Sequence, residues 1–215
     1  MSAARKPRKP QTRLSPEVRK GLILDHAAQL IAAEGVSAVK MERLGRRAGV
    51  SKALIYSYFP SVTALLQTLL RREYRRLRRL QSEAADSAVT FEQLVRRVTH
   101  VYLAYIRERG LIIERLAAEP SVAEYPDPTA YSRETAVAYL AEIVAENLEL
   151  DLELARPLVD ISFGLPAAAG NYLIHSAADI ETVEDLTVAM ILGSLEAVAR
   201  KNRMSFKRLR RPAAK

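Results

Sequence analysis

Leu44-Gly45-Arg46-Arg47-Ala48-Gly49-Val50-Ser51-Lys52-Ala53-Leu54-Ile55-Tyr56-Ser57-Tyr58-Phe59-Pro60-Ser61 holds two short helical runs with a break between them. Gly49 can take a positive φ without a Cβ penalty, so the chain can turn steeply there. Ala48 is small enough to let the two helices approach, and Val50 can bury in the angle between them. Ser51 can cap the second run, Lys52 to Phe59, and Pro60 ends it. Leu44 and Ile55 have the spacing to pack across the turn. The pattern is that of a helix-turn-helix.

Upstream, Ser15-Pro16-Glu17 reads as a helix start, with a cap, a proline at the first helical position and an acid in the first turn. Leu22, Ile23, Ala27, Leu30 and Ile31 share one face of that helix, and Gly35 is its stop. A short helix from about Lys40 to Ala48 follows. Downstream, Ser61 can cap a fourth helix reaching about Ser82, with Val62, Leu65, Leu66, Leu69, Leu70 and Leu77 as its apolar stripe. Arg71, Arg72, Arg75, Arg76, Arg78 and Arg79 crowd its last turns, where cations are favourable.

Beyond it, Thr90-Phe91-Glu92-Gln93 has the form of a capping box. It opens a helix expected to end near Gly110. A short helix from Leu111 to Ala118 is then closed by Pro120, and Ser121 to Pro128 reads as a loop. Thr129 to Leu148 is helical. Asp151 to Ser176 is an apolar helical stretch that Pro157 and Pro166 should bend or divide. Thr182 opens a last long helix to about Asn202.

These readings make an all-α chain, and composition agrees. Of 215 residues 49% are hydrophobic and 6% aromatic, with no Trp, and good helix formers dominate. No Cys is present, so there is no disulfide framework and no thiolate nucleophile or metal site; a reducing cytoplasm fits. No apolar stretch reaches the length of a membrane span, and no apolar signal segment follows the basic start from Met1 to Thr12. A soluble cytoplasmic protein with no membrane partner is the expectation.

The charge is unevenly placed. From Met1 to Leu80, 18 Lys and Arg stand against 5 Asp and Glu; from Gln81 to Ala199 the counts are 7 and 20; from Arg200 to Lys215 they are 8 and 0. A basic head on an acidic body points to a polyanion at one end; ordinary solvated surface charge is the alternative.

The run from Gly35 through Leu44–Ser61 to Leu65-Leu66 resembles the N-terminal signature of TetR-type bacterial transcriptional regulators. Motif-level similarity spans about residues 16–70. Ala-Gly-Val-Ser, four intervening residues, Tyr, two more and Phe is its most specific part. Three positions depart from the family's habit. Lys40 stands where Thr or Ser usually caps the short helix, and Val62 and Thr63 stand where Lys and Glu are usual. Lys40 cannot cap, but it can meet phosphate as a point charge.

The resemblance implies an N-terminal three-helix DNA-binding domain followed by a larger helical ligand-binding and dimerisation domain. The expected parts are a disordered basic arm (1–14), the helix-turn-helix domain (15–60), a connecting helix (61–82), the ligand-binding and dimerisation domain (83–203) and a basic tail (204–215). The DNA-binding set is Lys40, Arg46, Arg47, Ser51, Lys52, Ala53, Leu54, Tyr56, Ser57 and Tyr58. Lys52 can donate to guanine or to phosphate, and Ala53 and Leu54 can meet thymine methyls. Tyr56 and Tyr58 are phosphate contacts or core residues, Phe59 is core, and Arg46 and Arg47 face solvent near the backbone. Arg5-Lys6-Pro7-Arg8-Lys9 is either a minor-groove arm or a solubilising tail.

For the body the resemblance implies a small-molecule pocket. Its candidate lining is His100, Tyr102, Tyr105, Ile113, Leu116, Tyr139, Ile143, Phe163, Asn171 and Tyr172, each of which is otherwise plain core. Asn171 and His175 stand out, because a polar group on an apolar helix needs a partner. The last helix carries Ala189, Gly193 and Ala197 as a ridge of small residues, with Leu186, Met190, Leu195 and Val198 beside it. That ridge suits close approach of a second copy or packing within the monomer. The dimer candidates are Leu186, Ala189, Met190, Gly193 and Ala197.

No catalytic constellation appears, and neither a metal nor a cofactor is expected. His26, His100 and His175 lack metal-ligand spacing, and Gly164–Gly170 lacks the GK[ST] ending of a phosphate loop. The leading reading is a non-enzymatic regulator that binds double-stranded DNA as a homodimer, a repressor at a palindromic operator released by a small, mostly apolar effector. A constitutive or architectural DNA binder without an effector is the alternative, and an all-α enzyme or scaffold with a basic head is a third.

Overall fold

The computed structural model describes residues 15–123 and 130–209. The basic arm, residues 124–129 of the expected loop and residues 210–215 of the tail lie outside the described residues. The described residues are helical with no strand, and they divide into two compact units, Met1–Leu65 and Leu66–Lys215.

The first unit is built from α1 (Pro16–Glu34), α2 (Met41–Ala48) and α3 (Lys52–Tyr58), and it takes in the start of α4 (Val62–Asp86). Ser15 caps α1 by accepting from the Val18 amide, and Gly35 ends the helix at φ 87°. A short 3₁₀ turn at Val36–Ala38 leads into α2. Lys40 occupies the cap position of α2 with no side-chain capping bond. Ile23, Ala27, Leu30, Ile31, Leu44, Ile55, Phe59 and Leu65 are each buried, and the buried residues of this unit are apolar among the described residues. At the corner of α1 and α2, Arg43 forks onto Glu34, with Nη1 2.8 Å from Oε2. The Arg43 hydrogen bond holds the Glu34 carboxyl below its ordinary range.

The second unit continues α4 and adds α5 (Phe91–Ala117), α6 (Pro120–Ala123), α7 (Ala130–Leu148), α8 (Leu152–Ser162), α9 (Gly164–His175) and α10 (Ile180–Leu209). Helix α5 packs on α9 and α10, and α7 packs on α8. Val137, Ala141, Val144, Ala155, Val159, Ile191, Leu195 and Ala199 form one apolar cluster from α7, α8 and α10. No single helix among the described residues is long and apolar enough to cross a membrane.

Several boundaries differ from the sequence expectation. Gly110 does not end α5. A Cβ there would stand 2.5 Å from Ile174 Cδ1 and 2.9 Å from Ile106 Cγ2, so the glycine serves close approach of α5 and α9 inside one continuous helix. Pro120 begins α6 rather than closing a helix, since a first-turn residue needs no amide donor. The same reasoning puts the break between α8 and α9 at Phe163 and leaves Pro166 in the first turn of α9; Pro157 lies inside α8. Helix α10 is capped by Asp179, which accepts from the Thr182 amide at 2.8 Å, and it runs on past Asn202 to Leu209. In the expected capping box, Thr90 accepts from the Gln93 amide, but Gln93 returns its bond to the Val89 amide, one residue upstream of the cap.

One charged network lies inside the second unit. The Glu73 side chain on α4 is only 2% exposed and receives Arg109 Nε at 2.9 Å, Arg109 Nη2 at 3.0 Å and the Tyr105 hydroxyl at 2.8 Å. Burial alone would raise the Glu73 carboxyl; the bonds from Arg109 and Tyr105 and the charges of Arg109 and Arg72 hold it below the ordinary carboxylate range. Burial and the same carboxylate push the Tyr105 hydroxyl well up.

Candidate functional site

The α2–α3 corner is made by two glycines with different duties. Gly49 takes the left-handed conformation, φ 65° and ψ 31°, and its amide bonds the Gly45 carbonyl. The Val50 amide bonds that same carbonyl at 2.9 Å. Gly45 sits where α3 crosses α2. A Cβ there would lie 2.8 Å from the Val50 carbonyl oxygen and 3.7 Å from Ile55 Cδ1. The close-approach residue is therefore Gly45 rather than Ala48, which is half-buried.

Ser51 caps α3 by accepting from the Leu54 amide at 3.2 Å, so its hydroxyl has a structural partner. Ile55 and Phe59 turn inward and are buried. That leaves Lys52, Ala53, Tyr56 and Ser57 exposed, with Leu54 and Tyr58 half-buried. The Lys52 ammonium lies 6.0 Å from the centre of the Tyr56 ring, whose residue is 44% exposed. Ser57 donates to the Leu54 carbonyl at 2.7 Å. Lys40, Arg46 and Arg47 are exposed, and Arg46 pairs with Glu42 one turn earlier at 3.0 Å. This outer face carries cations, hydroxyls and a small residue, the groups that meet phosphates and base edges.

The second unit holds a cavity of about 410 Å³ that is partly open to solvent, within the size range of small-molecule sites. Helix α4 contributes Tyr74, Leu77, Arg78 and Gln81, and α5 contributes Leu94, Val98, Thr99 and Tyr102. Arg133, Leu140 and Val144 come from α7, Phe163 from the α8–α9 break, and Ile191 and Leu195 from α10. The walls are mostly apolar, and burial raises the Tyr102 hydroxyl above its ordinary value.

Of the ten lining candidates from the sequence, Tyr102 and Phe163 border this cavity. The other eight are placed elsewhere. Tyr105 is buried on Glu73, Ile113 and Leu116 are core, and Ile143 is half-buried. His100 is exposed and 2.7 Å from Glu184; Tyr139 and Tyr172 are 57% and 58% exposed. Asn171 faces outward, and exposed His175 pairs with Glu114 at 3.3 Å. The register fixed by Thr90 placed Leu94, Val98 and Tyr102 on one face of α5, a spacing legible in advance. In the sequence Arg78 is one of the helix-end cations, and no local pattern marks Arg133. Leu186, Ala189, Met190, Gly193 and Ala197 are all exposed on α10, so among the described residues the small-residue ridge is not used in packing.

A helix-turn-helix unit with an outward cationic face, joined in one chain to a helical unit holding a cavity, defines the class of DNA-binding transcription regulators. Residues 23–69 match the family model described as bacterial regulatory proteins, tetR family. No curated protein sequence matches the chain. Among solved structures, a putative transcriptional regulator from Pseudomonas aeruginosa is 19% identical, with a TM-score of 0.68 over 88% of this chain and 96% of that one. A TetR-like transcriptional regulator from a Rhodococcus species is 18% identical, with a TM-score of 0.67 over 85% and 98%. The fatty acid degradation regulator FadR from Bacillus halodurans is 18% identical, with a TM-score of 0.63 over 84% and 97%. These likenesses show a shared fold along most of the chain. Residues 23–69 thus carry the DNA-binding domain of the TetR family, and the rest of the chain shares its fold with the solved regulators.

Proposed function

We propose that the chain is a cytoplasmic, homodimeric repressor that holds a palindromic operator and is released when a small, mostly apolar effector fills the cavity. The cavity of about 410 Å³ carries this reading, because a constitutive binder has no use for such a space in its core. The exposed ridge of α10 supports the dimer: Leu186 and Met190 are 59% and 56% exposed beside Ala189, Gly193 and Ala197, a self-complementary strip for an isologous pair. Two copies would present two α3 faces to half-sites at fixed spacing. Effector binding would favour a dimer mis-spaced for the operator.

The test is selection of a duplex from a randomised pool, followed by footprinting. A palindromic footprint is expected. Lys52→Ala and Tyr56→Phe should each weaken binding by about 1 kcal/mol, roughly fivefold, with far-ultraviolet circular dichroism unchanged. If Lys52 meets only phosphate, its loss weakens all sequences alike and lowers the salt slope by about one. Unchanged affinity in both variants would remove α3 from recognition.

A further inference from the structure

Glu73, Thr99 and Thr187 are buried polar residues of the second unit. Two of them are satisfied by the chain itself. Arg109 and Tyr105 bond Glu73, and the Thr187 hydroxyl donates to the Val183 carbonyl one turn back at 2.7 Å. Thr99 is 3% exposed, and among the described residues its hydroxyl has no hydrogen-bond partner. A hydroxyl buried without a bond is costly, so a buried bare one calls for something that bonds it.

Thr99 borders the cavity. Among the described residues, Nδ1 of His26 is the one side-chain polar atom shut in without a partner. Thr99 Oγ1 is therefore not shut in. It touches open space, and for a residue so deeply buried that space is the cavity. Leu94, Val144, Val159, Ile191 and Leu195 are buried apolar residues of the same lining. Ser162, its other aliphatic hydroxyl, is spent on the Leu158 carbonyl at 2.7 Å. The charged lining residues, Arg78 and Arg133, are both exposed, and Arg133 bonds Asp160 at 2.9 Å.

A neutral hydroxyl among apolar walls limits what it can hold. It can donate to or accept from an uncharged oxygen, and so offset the dehydration of a carbonyl or an alcohol. It cannot offset that of a carboxylate or an ammonium, which costs far more. We infer that Thr99 is the polar anchor of this cavity, and that the effector is an uncharged, mostly apolar molecule whose carbonyl or hydroxyl oxygen bonds Thr99 Oγ1. This deepens the reading of the cavity as the effector site and rests on it.

The chain has no Trp, so Phe163→Trp places a single indole in the lining. That variant is titrated at neutral pH with butyrophenone, butylbenzene and phenylbutyrate, which share a phenyl ring and a short chain and differ in carrying a ketone, no oxygen and a carboxylate. Butyrophenone is expected to bind at least about fivefold more tightly than phenylbutyrate. Adding Thr99→Val should weaken butyrophenone by about fivefold and leave butylbenzene equal or tighter, and Thr99→Ser should restore most of the ketone's affinity. Without ligand, Thr99→Val should leave the urea midpoint unchanged or raise it, since no bond within the chain is lost.

Phenylbutyrate binding as tightly as butyrophenone would overturn the uncharged effector. A ketone affinity unmoved by Thr99→Val, a loss shared equally by butylbenzene, or a lowered midpoint in the ligand-free variant would overturn Thr99 as the anchor and leave the cavity as a site. A silent indole with all three probes, in a protein whose helical content is unchanged, would overturn the cavity as a site as well. If Phe163→Trp fails to fold, Ala167→Trp, an exposed position of the lining, carries the same titrations.

Discussion

The two units bury different things. Among the described residues, those the first unit buries whole are apolar, with the Nδ1 of partly buried His26 the one side-chain polar atom shut in without a hydrogen-bond partner, and the cations that matter to it, Lys40, Arg46, Arg47 and Lys52, all face out. The second unit buries Glu73, Thr99 and Thr187, holds a cavity, and leaves Leu186, Met190, Ile161 and Tyr172 exposed. A small domain has little interior, and each unsatisfied polar group inside it costs a large share of its stability. The larger unit has helices enough to satisfy a carboxylate and still leave space. The lesson is a division of labour: one unit is a rigid presenter of a surface, and the other is a container with internal charge and unpartnered apolar faces.

The largest expected effect tests the internal charge. Arg109→Ala removes two charge-assisted bonds from the buried Glu73 carboxylate, leaving it Arg72 at 3.2 Å and the Tyr105 hydroxyl, and should cost about 3 kcal/mol in urea unfolding at pH 7, followed by circular dichroism. In the parent chain the Glu73 carboxyl is held below its unfolded value, so its contribution is complete above the ordinary carboxylate range and fades as pH falls through the folded value. In the variant, burial favours the protonated form. The gap between parent and variant should therefore narrow from pH 7 towards pH 4. A loss under about 1 kcal/mol at pH 7 would place Glu73 in a wetter setting and weaken the contrast between the units.

A middle-sized effect separates the two units by what their glycines touch. In Gly45→Ala the new Cβ meets a main-chain oxygen at 2.8 Å, and the corner itself must shift. A cost of about 2 kcal/mol is expected, together with weaker DNA binding. In Gly110→Ala the new Cβ meets Ile174 and Ile106 side chains, which can move, and alanine's helix propensity returns part of the cost. About 1 kcal/mol is expected there. The reverse order in thermal or urea unfolding would mean that the α5–α9 contact is stiffer than the helix-turn-helix corner.

The smallest effect on the folded chain belongs to Gly193. A Cβ there meets nothing within 4 Å, so Gly193→Ala should stabilise the helix by up to about 1 kcal/mol. Gly193→Leu should likewise leave helical content intact, yet block close approach of a second copy. Analytical ultracentrifugation should then show a monomer where the parent is a dimer. A tight dimer in the Leu variant would move the interface off this strip.

Much of the first unit was legible because its signals are local. Ser15 and Ser51 accept from amides three residues on, and Gly35 and Gly49 donate to carbonyls four residues back, so their roles can be read without knowing the rest of the chain. Gly45 was missed because its neighbour, the Val50 carbonyl, approaches only once the corner has formed. The cavity was poorly legible for the same reason at larger scale. Tyr105 reads as lining in the sequence and is instead a partner of Glu73, 32 residues away, while Arg133, which no local pattern marks, borders the cavity.

Sequence by itself determined the helical class, the helix-turn-helix, its caps and its outward face, because helix periodicity, capping and left-handed turns are short-range physics. It also marked the ridge at Ala189, Gly193 and Ala197. Only the tertiary structure decided that Gly110 is a contact rather than a stop, that Glu73 is buried among Arg109 and Tyr105, and that Tyr102 and Phe163 border a mostly apolar cavity. Those outcomes depend on which helix faces meet, and packing sets that between residues tens of positions apart, where no local pattern carries the information.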